Sequence, residues 1–552
     1  MNRHSTMCRW LPFVLGGLLV AMLSALWARY VLGPIPFDTS AGGWLWGDLA
    51  QVRIAWGQYL SDPDAHWLTT NRLSYPKPMS IALFDPMPLL LLLARPFAGW
   101  VGEGHQYFGY YFGLCLLLQG VFGYLATSRA MVLAGGGQSW ASRGCAVLAG
   151  LLFASVPYTF VRFQGHTALS SQWVLVFAIW VVLSTLDWPW QKWCLANGAV
   201  LLVATGINPY FVLMILISDG VLVALLLRQR RYREVLIRLS VLVAVAAAGL
   251  MIFGFIAGST ADTGGYGVYS MNLLGPLDSN GRGGLLPLDV ADATGGQTFE
   301  GFDYVGAGLL ALGTVALASG LSRRRSTSRF PFLAALLIST CCAILAMSTH
   351  LTVGSYAVDI PVPRAAIFLL SRFRGSGRLF WMAGFWLLLV AVAACVTHFG
   401  SRRTVFVLAM TVLAQFVDLR PLAADVRTNI ASYSTQRLSG VPDGNYSAIL
   451  VFPAWQCDTV KTPGGVRNYE SIGYFALGHH IPTNNFYAAR TPDSQQRFHC
   501  NYDARLKQVD SRAAYLLSEE LFTQYRDRFA AMQCQRLAGM DAAWSCLPEG
   551  GR

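Results

Sequence analysis

Twelve apolar runs, most of them close to 20 residues long, follow one another between residues 11 and 419. A helix that crosses a bilayer needs about 20 mostly apolar residues, and a soluble core has no way to hide so many such segments. The chain reads as an α-helical polytopic membrane protein. Composition agrees: 54% of the 552 residues are hydrophobic and 13% are charged, against about 25% charge in an ordinary soluble domain. This excludes a disordered chain, a secreted disulfide scaffold and a soluble nucleic-acid binder. The net charge of +12 sits in short clusters between the runs, such as Arg228, Arg230, Arg231, Arg233 and Arg323, Arg324, Arg325, Arg329. That is how a membrane protein sets its orientation. No basic face is interleaved with aromatics, so membrane lipids are expected as partners and nucleic acid is not.

The runs are 11–31, 81–101, 107–128, 145–163, 169–186, 193–207, 209–227, 235–257, 304–321, 330–349, 379–398 and 404–419. The first follows Arg3 and Arg9 and exceeds a signal-peptide apolar core of about 7–15 residues. It reads as an uncleaved helix with a cytoplasmic N-terminus. If every run crossed, basic clusters would fall on both faces. The 81–101 run carries Asp85-Pro86-Met87-Pro88 and Arg95-Pro96, and Pro is costly inside a helix. Laid on the outer surface, it leaves about eleven crossings, every basic cluster inside and the C-terminus outside. The expected division is a transmembrane domain, 1–419, and an extracytoplasmic domain, 420–552. The first outer loop, 32–106, holds the surface helix 81–101. Further outer loops are 259–303 and 351–378, the second with an interfacial helix at 364–373.

In the C-terminal domain 448–452 and 513–517 read as strands and 519–532 as a helix, giving a small α/β unit. Cys457, Cys500, Cys534 and Cys546 fall there, where an oxidising compartment permits disulfides. Pairing 457 with 500 and 534 with 546 is the simplest of three connectivities. The other cysteines read as small buried apolar residues. The expected location is a bacterial inner membrane with a periplasmic C-terminal domain.

Chemistry has few places to sit. The chain has no phosphate-binding Gly-rich loop, nucleophile elbow or dinucleotide fingerprint. No CxxC or HxxxH spacing suits zinc, so no cofactor is expected, with a divalent metal left open. Asp48, in Trp44-Leu45-Trp46-Gly47-Asp48, reads as a general base between aromatics or as a helix N-cap. Asp85 reads as an N-cap before Pro86 or as a second catalytic acid. His166 sits in a tight outer turn, as a phosphate or sugar contact or a satisfied polar residue. Glu300 and Tyr304, in Glu300-Gly301-Phe302-Asp303-Tyr304, suggest a sugar-binding surface or the start of a helix. Arg364, Arg372, Arg374 and Arg378 break the inside bias of basic residues and suit a lipid-linked phosphate or lipid headgroups. Asp219 lies inside a run, where an acid is costly and functional. It fits a proton path.

Several strings carry a resemblance: Tyr75-Pro76, Phe84-Asp85-Pro86-Met87-Pro88-Leu89, Gly165-His166-Thr167-Ala168-Leu169, and Phe299-Glu300-Gly301-Phe302-Asp303-Tyr304-Val305-Gly306. Phe373-Arg374-Gly375-Ser376-Gly377-Arg378, Pro453-Ala454-Trp455-Gln456-Cys457 and Asn485-Phe486-Tyr487-Ala488-Ala489-Arg490 complete it. Over nearly its whole length the chain resembles a bacterial family of polytopic membrane proteins of unknown function. Its architecture resembles that of GT-C glycosyltransferases. The resemblance implies a polyprenyl-phosphate sugar donor and a cell-envelope glycan or lipid acceptor. It places Asp48 at the position of the first-loop acid. A Lys-Pro-Pro signature reads Lys77-Pro78-Met79 here. Two functions follow as expectations: an inverting glycosyltransferase, with Asp48 and Asp85 catalytic and His166, Glu300, Tyr304, Arg372, Arg374 and Arg378 on the substrate, or a non-catalytic transporter or scaffold for lipid-linked glycans.

Overall fold

The computed structural model describes residues 3–85, 87–101, 105–135, 139–256, 266–321, 329–434, 438, 441–457, 468–537 and 543–549. Pro86, Arg323 to Arg325 and residues 259–265 of the second expected outer loop lie outside the described residues, as does the side chain of Arg364. The protein is mostly helical. Among the described residues seven helical stretches are long and apolar enough to cross a membrane: Leu11–Leu32, Phe108–Leu133, Trp140–Arg162, Pro209–Gln229, Tyr232–Ile252, Ser376–Phe399 and Ser401–Ser432. Trp173–Thr185, Ala307–Gly320 and Leu333–Met347 are apolar but shorter, and Trp190–Thr205 forms a further helix. The 81–101 run does not form one helix. It breaks into a 3₁₀ turn, Ile81–Phe84, and a helix, Pro88–Ala94, followed by the short pieces Arg95–Phe97 and Ala98–Val101. Left-handed Asp85 and Met87 separate the first two, because no helix continues through φ near +57°.

The Phe108–Leu133 helix is the hub, packing on the first helix and on Trp140–Ala154, Trp173–Thr185 and Phe380–Phe399. Its glycines let backbones approach, as small residues do between membrane helices. A Cβ at Gly109 would lie 2.1 Å from the Pro36 carbonyl oxygen, and one at Gly120 would lie 2.4 Å from Ser24 Oγ. The first helix turns Leu11, Leu15, Leu18, Met22 and Leu26 outward, as a lipid-facing stripe should.

Two buried polar residues fasten the loops. Asp418, at the end of Ser401–Asp418, accepts from Leu285 N (2.9 Å), Leu286 N (3.1 Å), Ala307 N (3.0 Å) and Tyr304 Oη (2.7 Å). This pins the Gly-rich loop. Gln106 Nε2 donates to the Pro36 and Asp38 carbonyls at 2.7 and 2.6 Å, closing the first loop on itself.

The C-terminal unit is a four-stranded sheet of β1 (Ile449–Phe452), β2 (Ala514–Ser518), β3 (Gln533–Arg536) and β4 (Ala543–Leu547), in the order β1-β2-β4-β3. β1 and β2 run parallel and the other pairs are antiparallel. Leu450 and Phe452 pack on one face with Phe522 and Phe529, while Ile449 and Val451 pack on the other with Ile472 and Ala476. Burial on both faces explains why these strands read as unbroken apolar runs. The expected helix over 519–532 ends at Tyr525 and continues as a 3₁₀ turn, Arg526–Phe529. Cys457 joins Cys500 and Cys534 joins Cys546. Not every other cysteine is buried: Cys341 is exposed on the Arg329–Met347 helix, a place where lipid rather than protein covers an apolar group.

The unit docks on the first loop. The Asn468–Gly478 helix lies against Asp48–Leu60, with Gly473 beside Ile54 and Gly57 beside Leu477. Gln58 Nε2 donates to the Ile481 carbonyl at 3.1 Å.

Gly109→Ala should lower the thermal midpoint markedly, because the clash is with backbone and overpacking costs about 1–3 kcal/mol. Thermal denaturation in detergent checks this. An unchanged midpoint would mean the helix and the Pro36 turn are not in contact. Thiol counting on denatured protein should find four more free thiols after reduction than before it. A smaller increase would show that a bond is missing.

Candidate active site

Four loops and helix ends converge beneath the C-terminal domain. Gly47 begins the Asp48–Leu60 helix with φ 56°, a conformation that costs residues with a Cβ. Its amide donates to Glu470 Oε1 at 2.8 Å. Asp48 thus stands in the first turn, where the helix dipole favours an anion. The N-cap reading of Asp48 is corrected: Gly47 holds that position.

His166, in the turn between Pro157–Arg162 and the next 3₁₀ turn, links two carboxylates. Its Nδ1 is 3.3 Å from Asp48 Oδ2 and its Nε2 is 3.0 Å from Glu300 Oε1. Arg378, at the start of the 379–398 apolar run, pairs with Glu300 Oε2 and reaches His166 Nε2 at 3.3 Å. The same Nε2 thus faces a carboxylate oxygen that only accepts and a guanidinium that only donates. Burial pushes the His166 imidazole down to about 4 against the pull of Asp48. The side chains of Arg378 and Glu300 are 7% and 11% exposed, whereas Asp48 keeps 27%. The acid that solvent and substrate can reach is Asp48.

Asp85 belongs to the same field. It is no cap, which corrects that reading: it ends the 3₁₀ turn in the left-handed region, and Met87 precedes the following helix. Its Oδ1 accepts from Asn208 Nδ2 at 2.9 Å. Asn208 also caps the Pro209–Ala224 helix by accepting from Tyr210 N at 3.0 Å. Burial pushes the Asp85 carboxyl up to about 6, opposed by the charges of His166 and Arg378 and reinforced by Asp48.

The C-terminal domain supplies Tyr487, which lies beside Asp48, and burial pushes its phenol up to about 12. Arg374 lies near it and stacks over Tyr269, 5.4 Å from the ring centre. Arg378 stacks over Tyr210 at 4.8 Å. Behind the cluster Arg162 donates to the Phe299 carbonyl and faces Asp303. Asp303 is 1% exposed, and burial raises its carboxyl well above the ordinary range.

Asp48, Asp85, His166, Glu300 and Arg378 therefore meet, and Arg374 flanks them. Tyr304 does not join. It is turned away and spends its hydroxyl on Asp418, which corrects its place on the substrate surface. Arg372 is exposed and contributes its carbonyl, which accepts from Arg490. It stands outside the carboxylate cluster, a correction caused by the direction of the Ser371–Phe373 turn. Sequence reasoning missed Asn208, Arg162, Tyr210 and Tyr487. Asn208 before Pro209 is a visible helix-start signal, whereas Tyr487 lies more than 400 residues from Asp48. Among the described residues no three His, Cys, Asp or Glu side chains are arranged to hold a metal ion.

Comparison with known proteins places this geometry. Residues 21–420 match the domain of unknown function DUF6311, and 439–548 match its C-terminal domain. The chain belongs to the DUF6311 family. Among solved structures, this DUF6311 member is similar to the oligosaccharyltransferase of Archaeoglobus fulgidus in its apo form. Identity is 12%, TM-score 0.50, with 93% of this chain and 71% of that one covered. It is also similar to ArnT from Cupriavidus metallidurans bound to undecaprenyl phosphate, at 12% identity and TM-score 0.46 with 97% of each chain covered. The mycobacterial arabinofuranosyltransferase AftD aligns at 14% identity and TM-score 0.49, over 96% of this chain and 39% of that one. Curated proteins give no match. The fold is that of GT-C glycosyltransferases: a multi-pass helical membrane domain with a small C-terminal sheet domain.

The raised Asp85 carboxyl gives a stability signature. The folded state holds this proton up to about pH 6, and the unfolded carboxyl releases it near 3.8. Between those values the folded state binds more protons, so stability falls as pH rises and levels off above about 6. Asp85→Asn is neutral throughout and can still accept from Asn208. Its thermal midpoint relative to the native protein should rise between about pH 4 and pH 6.5. A difference that stays flat with pH would remove Asp85 from the buried cluster.

Proposed function

We propose that this DUF6311 member transfers a sugar from a polyprenyl-phosphate donor to a cell-envelope glycan or lipid on the outer face of the inner membrane, with inversion. The observation that carries the reading is the chain Asp48, His166, Glu300, Arg378. It sets a reachable carboxylate beside guanidinium groups at the outer end of the helix bundle. In this reading Asp48 takes the proton of the acceptor hydroxyl as its oxygen attacks the anomeric carbon. The bond from that carbon to the lipid phosphate breaks and the phosphate leaves with the electron pair. Arg378 and Arg374 offset the charge that develops there. His166 and Tyr487 orient Asp48, and Asp85 holds the local charge balance. The N-terminus is cytoplasmic and the disulfide-bearing domain periplasmic, which matches a lipid-linked donor. The GT-C fold shared with an oligosaccharyltransferase supports the same class. The alternative, a non-catalytic transporter or scaffold for lipid-linked glycans, draws on Asp219. That residue is 2% exposed, and among the described residues its Oδ2 has no hydrogen-bond partner.

Transfer is measured as radiolabelled sugar moved from membrane-bound polyprenyl-phosphate donors to envelope glycan in cells lacking the native gene. Asp48→Asn should cut transfer about 10²–10⁴-fold, the usual loss of a general base, with unchanged expression and thermal midpoint. Arg378→Lys should weaken donor use while keeping charge, because a planar two-pronged contact is lost. Native-level transfer by Asp48→Asn would overturn the catalytic assignment. No transfer by the native protein with any donor, together with glycan export that depends on Asp219, would favour the transporter.

A further inference from the structure

A second polar chamber lies on the other side of the Asp48–Leu60 helix. It has a volume of about 670 Å³, and its walls come from the first loop, from the helix carrying Asp48 and from the C-terminal domain. Arg53 stands in its wall and is 9% exposed. Among the described residues its guanidinium makes no hydrogen bond and no ion pair. The groups that it senses are the Tyr474 and Tyr107 phenols, and burial lowers its hold on the proton. A cation held in the wall without a protein partner keeps its donors for whatever fills the chamber. Glu470, the nearest acid along the facing helix, is already engaged by Gly47 N and the Tyr433 hydroxyl.

The rest of the lining suits a sugar. Tyr474 is fixed by its hydroxyl on the Leu45 carbonyl at 3.2 Å, and Phe475 stacks on His479 at 4.2 Å between ring centres. Gln106 and Ser471 complete the lining. His479 and Asp443 form an ion pair of 2.9 Å at the rim, so their charges offset each other. His105 is the other titratable group in the wall. A Cβ added at Gly42 would meet nothing within 4 Å, which leaves that wall open to a ligand. Arg53 lies five residues beyond Asp48 on one helix, about 7.5 Å along its axis.

We infer that this chamber binds a saccharide bearing an anionic group, carboxylate or phosphate, with Arg53 as the counter-charge. On the transfer reading above, this saccharide is the acceptor, and the assignment rests on that reading only for this role. The binding itself is separable from catalysis.

Purified full-length protein in nanodiscs is titrated by calorimetry with digalacturonate, with glucose 6-phosphate and with the neutral disaccharide maltose. The native protein should bind at least one of the anionic probes at least tenfold more tightly than maltose. Digalacturonate alone would identify a carboxylate ligand, and glucose 6-phosphate alone a phosphate ligand. Arg53→Gln should erase the preference for charge. Gly42→Phe, which adds a ring where space is open, should weaken all binding without moving the thermal midpoint. It decides the matter if Arg53→Gln fails to fold. The titration involves no transfer step and no lipid-linked donor, so a failed transfer assay and a failed binding assay remain distinct results. Equal affinity for charged and neutral probes, no binding of either anionic probe, or full binding by a folded Arg53→Gln would overturn the inference.

Discussion

The pair between Arg378 and Glu300 is the contact on which the site depends. It ties the Gly-rich loop to the start of the Ser376–Phe399 helix, two segments far apart in sequence. Both groups are largely out of water, so breaking the pair by removing one partner would strand the other at a cost of about 3–5 kcal/mol. Its chemical consequence reaches further. Arg378 also lies 3.3 Å from His166 Nε2, and His166 Nδ1 lies 3.3 Å from Asp48, so the pair and the reachable acid belong to one continuous set of contacts.

Around this tie the structure spends polar residues where apolar packing cannot give direction. Asp418 gathers three backbone amides and one phenol from a loop rich in glycine. Asn208 serves two elements, capping a helix with its oxygen and holding Asp85 with its nitrogen. Helix packing brings the scaffold together to within an ångström or so, and these bonds fix the rest.

Much of the fold was legible in the residues because a 20-residue apolar run has few alternatives. The two parallel strands, β1 and β2, were legible for a related reason, since burial on both faces leaves an unbroken apolar stretch. The carboxylates and arginines at the ends of the runs stood out because the chain has so few charges. What sequence could not give was direction across long separations. Tyr304 sits beside Glu300 in the chain, yet its partner Asp418 is 114 residues away and turns it from the cluster. The Asp85-Pro86 pair imitates a helix start, but left-handed backbone at Asp85 and Met87 removes the cap. Tyr487 carried no local sign of chemistry, for its role exists only once the sheet domain lies on the first loop.

That last arrangement bears on how the protein is made. Asp48 emerges early in synthesis, Arg378 late, and Tyr487 later still, from a domain whose placement also depends on the helix carrying Glu470. A ribosome-bound chain therefore holds a carboxylate and a lipid-facing bundle without the lid that completes them. Only the fully threaded, fully folded molecule brings these side chains together.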